Sequence, residues 1–277
     1  MIGILGSGFG LYGYLPAIYK YYNNPRVVVL EKSLDVIRSR SDLKKFIPFL
    51  DTVSDKEELI KKSDFIIIAY PPIGVESLFE NIEWFSNIKK LLIEKPICIT
   101  SIKSIALIKK LNDLNILVSS GFNFFYTEWY NLLFSSNIEK VNINWRFKPQ
   151  SNWKNYCENG GGALRMYGIH FLPILLQKNL INFEVGINND LIFEGKFLTE
   201  NKEINILIDS NAQSNVFAID KIFNNETPFG LNNYKNKEDN RVYPLYNLLR
   251  SFDRNPKKEN DLLIKSLDLL DQIEKSI

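Results

Sequence analysis

Short runs that are apolar at every position recur through the first part of the chain: IGIL at 2–5, VVVL at 27–30, FIIIA at 65–69, LLI at 91–93 and ILV at 116–118. Such runs suit strands buried on both faces, as in a parallel sheet. Between them lie stretches of helical period. Over 101–114, for example, Ile105, Ile108, Leu111 and Leu114 fall near one face. Strand and helix in alternation predict an α/β chain whose doubly wound parallel sheet binds ligands along the C-terminal edge of its strands.

From about Gly121 the period changes. Val141, Ile143, Trp145 and Phe147 alternate with Asn142, Asn144, Arg146 and Lys148, and Ile204, Ile206 and Ile208 alternate with Glu203, Asn205, Leu207 and Asp209. Period two predicts a sheet with one exposed face, largely antiparallel. Trp145 reads as packing, while Arg146 on the opposite face could meet a subunit or an anionic substrate. Positions 224–240 are polar and rich in Asn, which predicts a long loop, and Leu263, Leu267, Leu270 and Ile273 form one stripe of a closing helix. The expected layout is a first domain over 1–119, an α/β domain with an open-faced sheet over 120–258, and a helix over 259–277 that packs back on the first domain. The open face is expected to be apolar and covered by a second copy, giving a homo-oligomer.

Composition narrows the function. With 277 residues, 34 basic against 32 acidic side chains and a net charge of +2, the chain has no general field for nucleic acid or an anionic membrane. It has one histidine, and its two cysteines, Cys98 and Cys157, have no metal-ligand spacing, so no metal site is expected. The thiol pair does not indicate an oxidising compartment. No window reaches the roughly eighteen apolar residues of a membrane span, and the start lacks the basic, longer apolar pattern of a signal peptide. The expectation is a soluble, cytoplasmic protein.

Gly6-Ser7-Gly8-Phe9-Gly10 follows the first apolar run directly and opens a helix-like segment. A backbone that approaches a pyrophosphate closely cannot carry a Cβ at the turn, and the free N–H groups of the helix start face the phosphates. The strict spacing asks for a third glycine where Leu11 stands. Glu31 follows about twenty residues on, where a carboxylate accepts from both ribose hydroxyls and repels a 2′-phosphate, favouring NAD over NADP. Its neighbour Lys32 weakens that preference. Tyr70-Pro71-Pro72 ends the run at 65–69 and reads either as a plain turn or as a rim beside the nicotinamide ribose. Glu94-Lys95-Pro96 ends the run at 91–93, where a lysine can hold a substrate oxygen. His170 sits between Ile169 and Phe171; its ordinary pKa suits proton exchange coupled to hydride transfer, though a lone histidine on an apolar face is more often a packed residue. The triple glycine upstream of it would let substrate approach closely.

Together, the glycine turn, Leu15-Pro16-Ala17, Glu94-Lys95-Pro96 and the run from Gly160-Gly161-Gly162 through Arg165, Met166, Tyr167 and Gly168 to His170 resemble the glucose–fructose oxidoreductase / inositol dehydrogenase / MocA (Gfo/Idh/MocA) family. Residues 253–277 also resemble its closing helix, so the similarity covers nearly the whole chain. The resemblance implies a Rossmann domain followed by an open-faced α/β domain, NAD(P) as cofactor, and a sugar, inositol or similar polyol as substrate. It implies catalysis by Lys95 and His170. It also places Asn123, after Gly121-Phe122, in a segment whose polar residue faces substrate, together with Met166 and Tyr167.

One departure stands out: the family commonly has an aspartate four residues before the histidine, where this chain has Met166, and a thioether accepts no proton. On a regular helix Met166 and His170 would share a face, with Arg165 and Tyr167 turned elsewhere. The chain is also short for the family, which implies trimmed substrate loops. The expected function is therefore NAD(H)-dependent oxidation of a sugar, nucleotide-sugar or polyol hydroxyl, or reduction of its ketone. A non-catalytic NAD- or sugar-sensing protein and an NAD-retaining lyase or epimerase are the alternatives.

Overall fold

The structure is a computed structural model that describes residues 1–135, 137–148, 153–220, 222–229 and 238–277. It divides into two compact units: Met1–Ile97, Ala106–Gly121 and Asn232–Asp261 form the first, and Cys98–Ile105, Phe122–Leu231 and Leu262–Ile277 the second.

The first unit is built on six parallel strands, β1 (Ile2–Leu5), β2 (Val27–Leu30), β3 (Leu50–Val53), β4 (Phe65–Ile68), β5 (Lys90–Ile93) and β6 (Leu117–Ser120), in the order β3-β2-β1-β4-β5-β6. Four of them are the expected apolar runs: β1, β2 and β4 are buried at every position, and β5 at all but Lys90. Helices α1 (Leu15–Tyr21), α2 (Ser33–Ser39), α3 (Lys56–Lys61), α4 (Pro72–Leu78) and α5 (Ser101–Asp113) follow successive strands. The strand order reverses between the paired strands β1 and β4, so the connections that leave their C-terminal ends run in opposite directions along the sheet and frame the crevice in which a doubly wound sheet takes ligands. Strand β3 has no counterpart among the expected runs. It lies at the sheet edge, and its Asp51 and Thr52 are exposed, so it lacks the double-sided burial that marks the others.

The second unit carries a six-stranded mixed sheet of β7 (Lys140–Arg146), β8 (Leu180–Asn189), β9 (Ile192–Thr199), β10 (Glu203–Asp209), β11 (Val216–Ile219) and β12 (Phe223–Asn225), in the order β12-β11-β7-β10-β9-β8. Every pairing is antiparallel except β7 with β10. The alternation holds as expected: Val141, Ile143, Trp145, Ile204, Ile206 and Ile208 are buried. Helix α6 (Glu128–Ser135) sets Trp129 against Phe217 on that inner face, and α7 (Leu172–Gln177) follows His170. The opposite face is polar rather than apolar. There Asn205 donates to Asn142 at 3.0 Å and Lys140 pairs with Glu203 at 2.7 Å, so apolar exposure supplies no reason for self-association.

The chain closes with α8 (Val242–Arg254) and α9 (Pro256–Ser276), whose expected stripe of Leu263, Leu267, Leu270 and Ile273 is buried. The expected loop over 224–240 begins inside β12; its positions 230–237 lie outside the described residues. Among the described residues no helix is long and apolar enough to cross a membrane.

Candidate active site

In the first unit the three glycines after β1 do different jobs. Gly6 has φ +139°, and a Cβ there would stand 2.7 Å from the carbonyl oxygen of Ala69 at the end of β4, so the turn closes only without a side chain. A Cβ on Gly10 would stand 3.2 Å from Ile4 Cγ2 and 3.3 Å from Ala69 Cβ, the close helix-to-sheet approach that the third glycine of the fingerprint normally makes. The contact falls at position 10 rather than 11; the segment enters α1 through a π-helical turn, Gly10–Tyr14, and Leu11 buries its side chain completely. Gly8 is unlike both: nothing lies within 4 Å of where its Cβ would stand. The local fold needs glycine at 6 and 10, and leaves open space at 8.

Around this turn lie the other expected residues of the unit. Ser7 is exposed and Phe9 half-buried. Glu31 and Lys32 follow β2 and are exposed, and Lys32 lines a 370 Å³ cleft with Leu30, Ser54, Lys56 and Trp84. Tyr70 is half-buried, with the Lys56 ammonium 5.3 Å from its ring centroid. Pro71 caps α4 and Pro72 begins it, where a missing N–H costs nothing.

Glu94 and Lys95, at the end of β5, are 9% and 8% exposed. The Glu94 carboxylate accepts a hydrogen bond from the buried Tyr14 hydroxyl, and a Cβ on Gly121 would stand 2.3 Å from its Oε1. Tyr14 and Gly121 thus enclose the carboxylate. Burial pushes its pKa up, opposed by the Lys95 charge, the Tyr14 hydrogen bond and the Arg241 charge. A carboxyl group that binds its proton more tightly folded than unfolded favours the folded state in acid, and that contribution is lost as pH rises from its ordinary value of 4.5 through the raised one. Glu94→Gln has no such titration. Urea unfolding of both proteins across this range should show wild-type stability falling relative to the variant as pH rises; parallel curves would refute the assignment.

The second unit holds the remaining residues. Gly160 and Gly162 have φ +81° and +92°. A Cβ on Gly161 would stand 2.4 Å from the Trp153 carbonyl oxygen, and one on Gly162 would stand 2.6 Å from Cys157 Sγ. The triple glycine therefore fits the chain against its own 153–157 segment; the neighbours that exclude side chains at 161 and 162 belong to the protein.

Beyond Gly162 the chain does not form a regular helix. A π-helical turn, Ala163–Tyr167, passes into a 3-10 turn, Gly168–His170, so the regular helix on which a shared face for Met166 and His170 was expected is not formed. Met166 is half-buried. Arg165 donates to Glu274, to the Ile99 carbonyl at 2.7 Å and to the Cys157 carbonyl at 3.1 Å, which fixes it as a clamp on the fold.

His170 is 6% exposed, and its ring stacks on Phe124 with centroids 4.2 Å apart and planes 9° apart. Trp145 lies 6.4 Å from the imidazole and 5.2 Å from Tyr167, whose ring also meets Phe147 at 4.3 Å. Asn123, next to Phe124, is 3% exposed, and its Oδ1 has no hydrogen-bond partner among the described residues. The unit thus gathers Tyr167 and His170 in one aromatic cluster, with Asn123 next in the chain to its Phe124. Phe124, which seats the histidine, was not among the expected residues, and only its place beside Asn123 hinted at it.

No protein-family model and no curated protein matches the sequence. Solved structures match over nearly the full chain. The myo-inositol dehydrogenase from Corynebacterium glutamicum superposes with a TM-score of 0.66 at 16% identity, over 99% of this chain and 95% of that one. The WlbA dehydrogenase from Bordetella pertussis, solved with NADH and UDP-GlcNAcA, gives 0.69 at 12% identity, over 99% and 94%. The chain shares the fold of these two dehydrogenases. GenD2 from gentamicin A biosynthesis, solved with NAD, gives 0.68 at 14% identity, over 99% and 93%. The parallel unit and the mixed, largely antiparallel unit are both accounted for by this fold, as the sequence motifs implied.

Proposed function

We propose that the protein is an NAD(H)-dependent oxidoreductase that transfers hydride between nicotinamide and a secondary hydroxyl or ketone of a sugar, nucleotide-sugar or polyol-like substrate. The observation that carries this reading is the gap at Gly8. A structural turn needs Gly6 and Gly10, but a glycine facing open space at the crevice of a doubly wound sheet is what a pyrophosphate requires. The fold's neighbours include proteins solved with NAD or NADH, one of them with a nucleotide sugar, which supports both halves of the reading.

In this assignment the backbone at positions 6–10 binds the pyrophosphate and Glu31 takes the adenosine ribose hydroxyls, which favours NAD. Tyr70, Pro71 and Pro72 border the nicotinamide ribose. The bound nicotinamide supplies the hydride acceptor or donor. Lys95 stabilises negative charge developing on the substrate oxygen, and His170 takes the hydroxyl proton in oxidation and returns it in reduction. Asn123 offers a buried acceptor to a second substrate hydroxyl, a role that Met166 cannot fill.

Met166 favours a second reading, a protein that binds NAD or a sugar without turnover. Calorimetry with NAD⁺, followed by absorbance of reduced nicotinamide over a panel of nucleotide sugars, free sugars and polyols, separates the two. Reduction with any substrate of the panel supports the oxidoreductase. Tight binding with no reduction supports the sensor, and substrate conversion without net reduction supports a lyase or epimerase. Failure to bind NAD⁺ removes the oxidoreductase, the NAD sensor and the NAD-retaining lyase or epimerase, and leaves only a sugar-binding protein.

A further inference from the structure

The turn at 6–10 carries no cation of its own, yet one is held against it from far along the chain. Arg241, the residue just before α8, places its guanidinium carbon 4.1 Å from the ring centroid of Phe9 and 5.5 Å from that of Tyr12. All three residues belong to the first unit, as does Asp239, which grips the guanidinium from one edge with bonds of 2.8 Å to Nε and 2.7 Å to Nη2.

That grip fixes the plane of the group without exhausting it. A guanidinium has five N–H donors; among the described residues Asp239 takes two and the Tyr12 hydroxyl accepts from the group as well. The arrangement differs from a surface ion pair. Arg241 is half-buried, stacked on the one side chain that stands between Gly8 and Gly10, and near enough for its charge to act on both Tyr14 and Glu94. Planar, pre-oriented guanidinium groups with spare donors are suited to phosphate oxygens.

We infer that Arg241 is a phosphate-binding residue of the dinucleotide cradle, held over the glycine turn by Asp239 and Phe9 and directed at the pyrophosphate. The inference rests on the dinucleotide reading of the turn and adds to it a charged contact from a segment outside the glycine motif. It also explains why Phe9 occupies the middle of that motif: its ring seats the cation.

The test uses the full-length protein and three probes, NAD⁺, ADP-ribose and adenosine, measured by titration calorimetry at low and high salt. Arg241→Gln should weaken NAD⁺ and ADP-ribose by roughly tenfold to a hundredfold, the range expected for loss of a charged hydrogen bond. The salt dependence of their binding should flatten, and adenosine, which has no phosphate, should stay within about twofold of wild type. Arg241→Lys should recover part of the loss because it keeps the charge. Unchanged affinity for NAD⁺ in Arg241→Gln overturns the inference, and so does an equal loss for adenosine, which would mark a merely structural role. If wild type itself binds neither NAD⁺ nor ADP-ribose, the dinucleotide reading falls and the inference with it; that failure is visible before any variant is made.

Discussion

Replacing Lys95 with methionine should reduce turnover by about a hundredfold to a thousandfold or more, while NAD⁺ still binds within a few-fold of wild type. The expected size is that of losing one charge-stabilising group at a reacting oxygen. Methionine is close to lysine in length and suits the site, because Lys95 is 8% exposed and the variant leaves no hole. The loss should appear in kcat/KM for whichever sugar or polyol is turned over, with the circular dichroism spectrum and melting temperature little changed. A companion measurement tests whether Lys95 and His170 act on one event. Groups that work as a unit are far from additive, so Lys95→Met combined with His170→Ala should cost little more than the worse single change. Two independent losses that multiply would show that the residues serve separate steps. Full turnover in a well-folded Lys95→Met protein would remove the proposed mechanism.

The parts of this molecule that could be read from its sequence are those in which one residue's environment repeats along the chain. Strands β1, β2, β4 and β5 stood out because burial on both faces forces an unbroken apolar run. Strand β6 was displaced toward its own C-terminus, since the buried Ser119 and Ser120 look polar; Ser120 satisfies its hydroxyl by donating to the Ile93 carbonyl at 2.7 Å. In α5 the expected apolar face ran one position too far, and Leu114 is 49% exposed beyond the end of the helix.

Site residues divide in the same way. The glycine turn, Glu31 and Glu94-Lys95 were legible from spacing after a strand. The Tyr14–Glu94 pair and the seat of Arg241 on Phe9 join positions far apart in the chain, and no local pattern announces them. Met166 and His170 are a third case. Their spacing invites a regular α-helix, and the glycine-rich segment winds into π and 3-10 turns instead.

Gly8→Ala and Gly6→Ala should part company, and the contrast separates a structural turn from a ligand cradle. At Gly8 a methyl group enters open space, so the stability measured by urea unfolding should remain within about 0.5 kcal/mol of wild type. The same methyl group occupies the space into which the pyrophosphate must come. Its exclusion forfeits close backbone contact with the phosphates, and NAD⁺ should bind roughly tenfold to a hundredfold more weakly. At Gly6 the methyl group meets the Ala69 carbonyl oxygen at 2.7 Å on a backbone with φ +139°, which side chains rarely tolerate. That variant should lose about 1–3 kcal/mol of stability or more, because both the dihedral and the contact are unfavourable. A plain strand-to-helix turn predicts something different: with no ligand to exclude, Gly8→Ala would leave every binding measurement unchanged. Stability preserved at position 8 while NAD⁺ affinity collapses is the one combination that only a bound phosphate explains.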